Sequence, residues 1–177
     1  MSVVFENEIR LNTVDAIANQ MLIAARTAPK ARGRDTLLLG KLSGDDLSIL
    51  ADKMIEIANR SGLKFFGRDA ENIRNSQMVI VLATKIDPLQ MSECGYCGHG
   101  NCAVKLEYPD VPCAFNTIDL GIAAGVAAGI AADHRVDSRI MFSAAQAVRE
   151  LGLLNEPSGP ALCIPLSVSS KSPYFDR

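Results

Sequence analysis

Four of the five cysteines of this 177-residue chain fall in one stretch, Met91 to Cys113, as Cys94, Cys97, Cys102 and Cys113. The array reads C-x2-C-x4-C-x10-C and is threaded with Gly95, Gly98 and Gly100. Two thiolates separated by two residues can ligate one metal or cluster, because the turn between them brings both sulfurs to one side. The glycines let the backbone fold tightly around such a centre and aim N–H groups at its sulfurs. An iron–sulfur cluster needs several thiolates, with at least one tight pair and one more distant ligand, so the four cysteines are candidate ligands of a four-iron cluster. Structural zinc is an alternative; it prefers short-spaced ligand pairs, and His99 is a possible substitute ligand. Disulfides suit secreted chains, whereas the opening M-S-V-V-F-E-N-E-I-R has neither the basic region nor the apolar core of a signal peptide. Buried thiols without a metal are the remaining reading.

A second candidate site lies in A-A-R-T-A-P-K-A-R-G-R-D, residues 24–35, where Arg26, Lys30, Arg32 and Arg34 crowd one turn. Guanidinium groups fixed in a turn match phosphate geometry. The alternative is a solvated basic loop at a helix C-terminus, where cations are favoured by the dipole.

The elements that must position these residues follow from periodicity. Val14, Ile17, Ala18, Met21, Leu22 and Ala25 predict a helix from about Thr13 to Arg26, capped by Asn12 or Thr13 and stopped by Pro29 and Gly33. Thr36 to Leu39 is a short strand. A capping box at Ser43 and Asp46 then opens a helix with Leu47, Leu50, Ala51, Met54, Ile55 and Ala58 inward, ended by Ser61-Gly62. Lys64 to Phe66 reads as a brief strand and Ala70 to Asn75 as a short helix. Met78 to Thr84 is a continuous apolar, β-branched run that suits a central strand covered on both faces and delivers the chain through Asp87-Pro88 to the cysteines. Asn116 to Ala132 predicts a helix with Gly121, Gly125 and Gly129 on one face; each glycine costs roughly 1 kcal/mol against alanine, which close packing can offset. Arg139 to Leu151, capped by Asp137 or Ser138, is a further helix with Ile140 and Met141 inward. After a turn at Pro157 to Pro160, Ala161 to Val168 is a last strand, at a sheet edge because of Pro165. Cys163 in that strand reads as a small buried hydrophobe.

The length fits one domain with a sizeable core. A net charge of −2, no tryptophan and no long basic run argue against nucleic acid as the main partner. The most apolar segment, Leu120 to Ala132, is too short to span a bilayer. A soluble, cytoplasmic protein is expected, in a compartment where thiols stay reduced. No hydrolytic constellation, dinucleotide fingerprint or phosphate loop is present, and no side chain stands out as a catalytic acid or base.

Two resemblances add to this reading. C-G-Y-C-G-H-G-N-C with the later Cys113 looks like the short four-iron ferredoxin-type module, C-G-x-C-G-x-x-G-C plus one more cysteine. Along the whole chain, A-A-R-T-A-P-K-A-R-G, I-D-L-G-I-A-A-G-V-A-A-G-I-A-A and A-L-C-I-P-L-S-V-S-S-K-S-P resemble, in order, the turn, the central helix and the closing strand of the nitroreductase family. Together the two parts resemble the uncharacterised ferredoxin-domain-containing proteins. The turn departs from the nitroreductase pattern, with Lys30 and Gly33 where that family has Ser and Asn. The resemblance implies an α+β, three-layer fold, with a central mixed sheet flanked by helices and residues 91–113 as an inserted cysteine loop in a single domain, 1–177. It also implies a homodimer and an FMN whose phosphate is held by Arg26, Lys30, Arg32 and Lys171. The function implied is a flavin-dependent oxidoreductase that passes electrons to a small-molecule acceptor or a redox partner protein. The alternative is an electron carrier or metal-stabilised interaction module without flavin.

Overall fold

A computed structural model describes residues 1–154 and 158–175, so Pro157 of the predicted turn lies outside the described residues. The elements are α1 (Glu6–Thr27), a 3-10 turn (Ala31–Gly33), β1 (Leu37–Ser43), α2 (Asp45–Ser61), α3 (Lys64–Arg74), β2 (Met78–Thr84), α4 (Cys102–Leu106), α5 (Ala114–Asp133), β3 (Asp137–Ser138), α6 (Phe142–Glu150) and β4 (Ala161–Ser167). The four strands form one sheet in the order β1-β2-β4-β3, and all three pairings are antiparallel rather than mixed.

Successive side chains of a strand point to opposite faces, and β2 buries both sets. Val79, Val81 and Ala83 face a core built with α2, α3 and α6. Met78, Ile80 and Leu82 face a second core built with α1 and α5. The continuous apolar run therefore specifies a strand inside three layers, the α+β fold expected. Each Ile, Leu or Val so buried contributes about 1.5–3 kcal/mol relative to exposure.

Several boundaries differ from the sequence reading. Helix α1 starts at Glu6, where the Glu8 carboxylate accepts the Phe5 N–H, and the Thr13 hydroxyl donates to the Ile9 carbonyl inside the helix instead of capping it. Strand β1 runs through Ser43, and Gly44 caps α2 with φ 60°. Lys64 to Phe66 is the first turn of α3, whose Phe66, Ala70 and Ile73 bury one stripe. Asp137 and Ser138 form β3, and α6 begins only at Phe142. Ile140 is exposed accordingly.

Pro165 explains this last difference. Cys163 and Met141 exchange both backbone hydrogen bonds, so Pro165, two residues on and without an N–H to donate, faces the same flank. That flank pairs with Asp137 and Ser138 and again with Met141, and the ladder breaks between them. Strand β4 is thus interior in order, with its proline at the gap.

Helix α5 is long and apolar enough to cross a membrane by length and composition, with mean hydropathy 1.5 over its most apolar window and 39% of that window buried. Leu120, Ala123, Ala124, Ala127 and Ala131 pack on α1 and the sheet. Ile118, Ile122 and Val126 are exposed on the other side beside Gly121, Gly125 and Gly129, where an added Cβ would meet nothing within 4 Å.

Candidate metal centre

The cysteine loop leaves the end of β2 and returns at α5, and three sets of bonds fix its ends. Arg34 pairs with Asp87 at 2.6 Å and donates to the Pro88 carbonyl, while Arg32 donates to that of Leu89. The Asp87 N–H donates to Asn116 Oδ1 at 2.9 Å. The Ala31 N–H is shared by both oxygens of the buried Asp119 at 3.1 Å. The cationic turn, the loop entrance and the first turns of α5 are therefore one unit. Arg32 is held at φ 56° and Gln90 at φ 56°, a conformation uncommon outside glycine, so the stapling runs through locally strained backbone.

Inside the loop, Gly95 and Gly98 have φ 89° and 87°, which L side chains rarely adopt. At Gly95 a Cβ would stand 3.2 Å from the His99 carbonyl oxygen. The Cys102 N–H donates to the Met91 carbonyl, and Asn101 caps the short α4 by accepting from the Val104 N–H at 3.1 Å. Tyr96 stacks on Phe115 with centroids 5.5 Å apart, laying the Cys94–Cys97 turn over the start of α5. His99 stacks on Tyr108 at 4.7 Å, so the alternative zinc ligand is engaged by an aromatic ring. Cys102 and Cys113 are buried, and Cys94 and Cys97 are half-buried. All five thiols are free, and burial pushes the Cys163 thiol up, as suits an inert core residue.

The donor set is four thiols on one loop. Among the described residues no three His, Cys, Asp or Glu side chains gather as a single metal ion requires. Four sulfurs about 2.3 Å from one ion must lie within about 4 Å of each other. Cluster thiolates bind different irons and stand wider apart. Two further groups were invisible in the sequence. Asn116 is 1% exposed, and among the described residues its Nδ2 amide has no hydrogen-bond partner. It sits three residues from Cys113, the N-cap of α5, at the positive end of a 20-residue helix dipole. Lys105 is also 1% exposed, and among the described residues its ammonium donates only to the Tyr108 carbonyl. A buried donor without an acceptor is costly and marks a place where something else accepts.

The proposed phosphate ligands are not brought together within one chain. Arg26 pairs with Asp35 at 2.6 Å and donates to the Leu37 carbonyl. The Lys30 ammonium caps α1 by donating to the Ala25, Arg26 and Ala28 carbonyls. Arg32 is held by Leu89. Lys171 follows the Leu166 end of β4, which pairs with Met78, whereas Arg26 lies at Leu37, which pairs with Thr84. Six strand steps separate those ends, about 20 Å. Residues so arranged do not form a single phosphate cradle. A cavity of about 380 Å³ does lie beside Arg26, along Leu37 to Leu42.

Residues 109–177 match the family model described as "Uncharacterized protein containing a ferredoxin domain (DUF2148)". An uncharacterized protein of Archaeoglobus fulgidus is 36% identical over 179 residues, covering 97% of this chain and 96% of the relative. Among solved structures, a nitroreductase family protein from Clostridium novyi NT is similar with a TM-score of 0.60 and 18% identity, covering 91% of this chain and 76% of that one. A BluB-like flavoprotein from Clostridium difficile 630 gives 0.53 and 16%, covering 89% and 84%. The NADPH:FMN oxidoreductase from Vibrio harveyi gives 0.53 and 15%, covering 92% and 63%. At these identities the likeness is one of fold, and the fold is nitroreductase-like. With a relative this similar along nearly its whole length and the family model matching its C-terminal part, the chain belongs to the family of uncharacterized proteins containing a ferredoxin domain.

Proposed function

We propose that this is a redox protein that holds a four-iron cluster on Cys94, Cys97, Cys102 and Cys113. The observation that carries the reading is four free thiols on one loop, with the buried Asn116 amide, at the start of α5, lacking an acceptor among the described residues. Membership of a ferredoxin-domain family supports it. A bound cluster supplies a one-electron store. The chain supplies its surroundings: buried Cys102 and Cys113 keep water from one side, and half-buried Cys94 and Cys97 leave the other within reach of a redox partner protein or small-molecule acceptor. Anaerobic purification should give a brown protein with about four iron and four sulfide per chain. Stoichiometric zinc without sulfide would make the site structural instead.

A flavin-dependent oxidoreductase is the second reading, favoured by the nitroreductase-like fold and by the cavity beside Arg26. The engaged Arg26 and Lys30 and the distant Lys171 weigh toward an electron carrier without flavin. A homodimer closed on the open face of α5 belongs to either reading. Saturating FMN that leaves the melting temperature unchanged excludes useful flavin affinity, since a ligand of the native state must stabilise it. Stopped-flow mixing of dithionite-reduced protein with FMN and a quinone decides whether an acceptor is reduced. The free thiols fit a reducing compartment, and cytoplasmic localisation is proposed on that ground.

A further inference from the structure

We propose that Lys105 is the built-in counter-charge of the cluster and sets its reduction potential. This rests on the cluster reading above and names a residue that the cysteine pattern does not.

Lys105 is among the largest fully buried side chains of the protein, ranking with core residues such as Met21 and Leu50. Its ammonium carries three N–H donors, and one of them meets the Tyr108 carbonyl at 2.9 Å. Among the described residues it meets no carboxylate. Glu93, Glu107 and Asp110, the acids of the same loop, are exposed to solvent. Lys41 and Lys53, by contrast, reach carboxylates, Asp15 and Glu56. A buried cation facing only a neutral carbonyl is strongly unfavourable unless an anion stands nearby. Four thiolates with their cluster carry net negative charge, and Lys105 lies on α4 between Cys102 and Cys113 in the sequence. Reduction adds one more negative charge, so a fixed cation favours the reduced form. Arg and Lys at the surface do this weakly because water screens them; one at 1% exposure is screened much less.

The test uses the full chain, wild type, Lys105→Met and Lys105→Arg, each reconstituted anaerobically with iron and sulfide and then stripped with a chelator. In the stripped form Lys105→Met should melt higher than wild type, because an uncompensated buried charge has been removed. In the loaded form it should melt lower. A dithionite titration followed by EPR should show the loaded variant taking its electron about tenfold less favourably, about 59 mV lower for a one-electron couple, and Lys105→Arg should restore most of that shift. If Lys105→Met lowers the melting temperature of both forms alike and leaves the potential unmoved, Lys105 serves only its bond to Tyr108 and the proposal fails. Should Lys105→Met hold no cluster, the sign of the change in the stripped form still decides. A wild type that takes up no iron and sulfide overturns the cluster reading, and the proposal with it, before any variant is compared.

Discussion

In β2 seven consecutive side chains are buried on two faces and the backbone is paired by β1 on one side and β4 on the other. In the loop that β2 feeds and at the start of α5, Lys105 and Asn116 are buried like core residues, yet among the described residues the Asn116 amide has no partner and the Lys105 ammonium meets a single neutral one. The hydrophobic effect completes the first region with the chain alone, whereas on the proposed cluster reading the second is completed by an acceptor that is not part of the chain. This contrast separates what the polypeptide needs to fold from what it needs to work.

The largest effect should come from removing a ligand. Cys102→Ala should lower iron and sulfide content at least tenfold after reconstitution, while the circular dichroism of the sheet and the long helices stays unchanged. A collapse of secondary structure in that variant would show that the two regions are not independent. The converse change is Leu82→Ala, a cavity in the core under α1 and α5. It should cost about 2–5 kcal/mol in denaturant unfolding and leave cluster content per folded molecule unchanged.

The same contrast governs what could be read from the sequence. Strand β2, the α2 stripe and the α5 helix were legible because burial is written as periodicity. Lys64 to Phe66 misled because three residues carry no period; the Phe66, Ala70, Ile73 stripe of α3 emerges only over the longer segment. Asp137 and Ser138 carry a capping signal that β-pairing to Ser167 and Leu166 overrides. The four thiols were legible from type and spacing, and their loop lies where expected. Arg26, Lys30, Arg32 and Lys171 show the opposite: a cluster of charges in sequence says nothing of which carbonyls and carboxylates will engage them. Lys105 and Asn116 gave no signal at all, because a lysine in A-V-K-L-E reads as surface and only tertiary burial makes it unusual.

Asn116 sharpens the comparison at intermediate size. Asn116→Asp keeps the Oδ1 acceptor for the Asp87 N–H and replaces the unpartnered amide with a second oxygen. The loaded protein should lose about 1–3 kcal/mol of stability and the stripped form less; equal losses would place the amide away from the cluster. Val126→Glu on the open face of α5 tests the dimer in a region that neither core explains. Light scattering on wild type should give twice the 19.0 kDa chain mass, and on the variant the chain mass alone. A wild type at 19.0 kDa at micromolar protein rejects the dimer.

The smallest effect belongs to the ion pair at the seam between the two regions. Burial pushes the Asp35 carboxyl up, but the Arg26 hydrogen bond at 2.6 Å, the Leu37 N–H and the Arg26 charge outweigh it and hold the pKa below the ordinary value. A carboxylate depressed on folding contributes stability that is present above the unfolded pKa, about 3.9, and is lost as pH falls through the lower folded value. Asp35→Asn keeps an oxygen for the Leu37 N–H and removes the charge. With the Arg26 and Asp35 side chains 45% and 33% exposed, solvent screens the pair. The variant should therefore cost at most about 1 kcal/mol at neutral pH and low salt, with the difference shrinking in 1 M salt and vanishing below the carboxylate range. A larger loss, or one that persists in acid, would mean that the amide does not replace the carboxylate at the Leu37 N–H and that this bond, more than the charge, holds the turn. The stapling of Arg32 and Arg34 to residues 87–89 would then carry more of the loop's anchoring than the ion pair does.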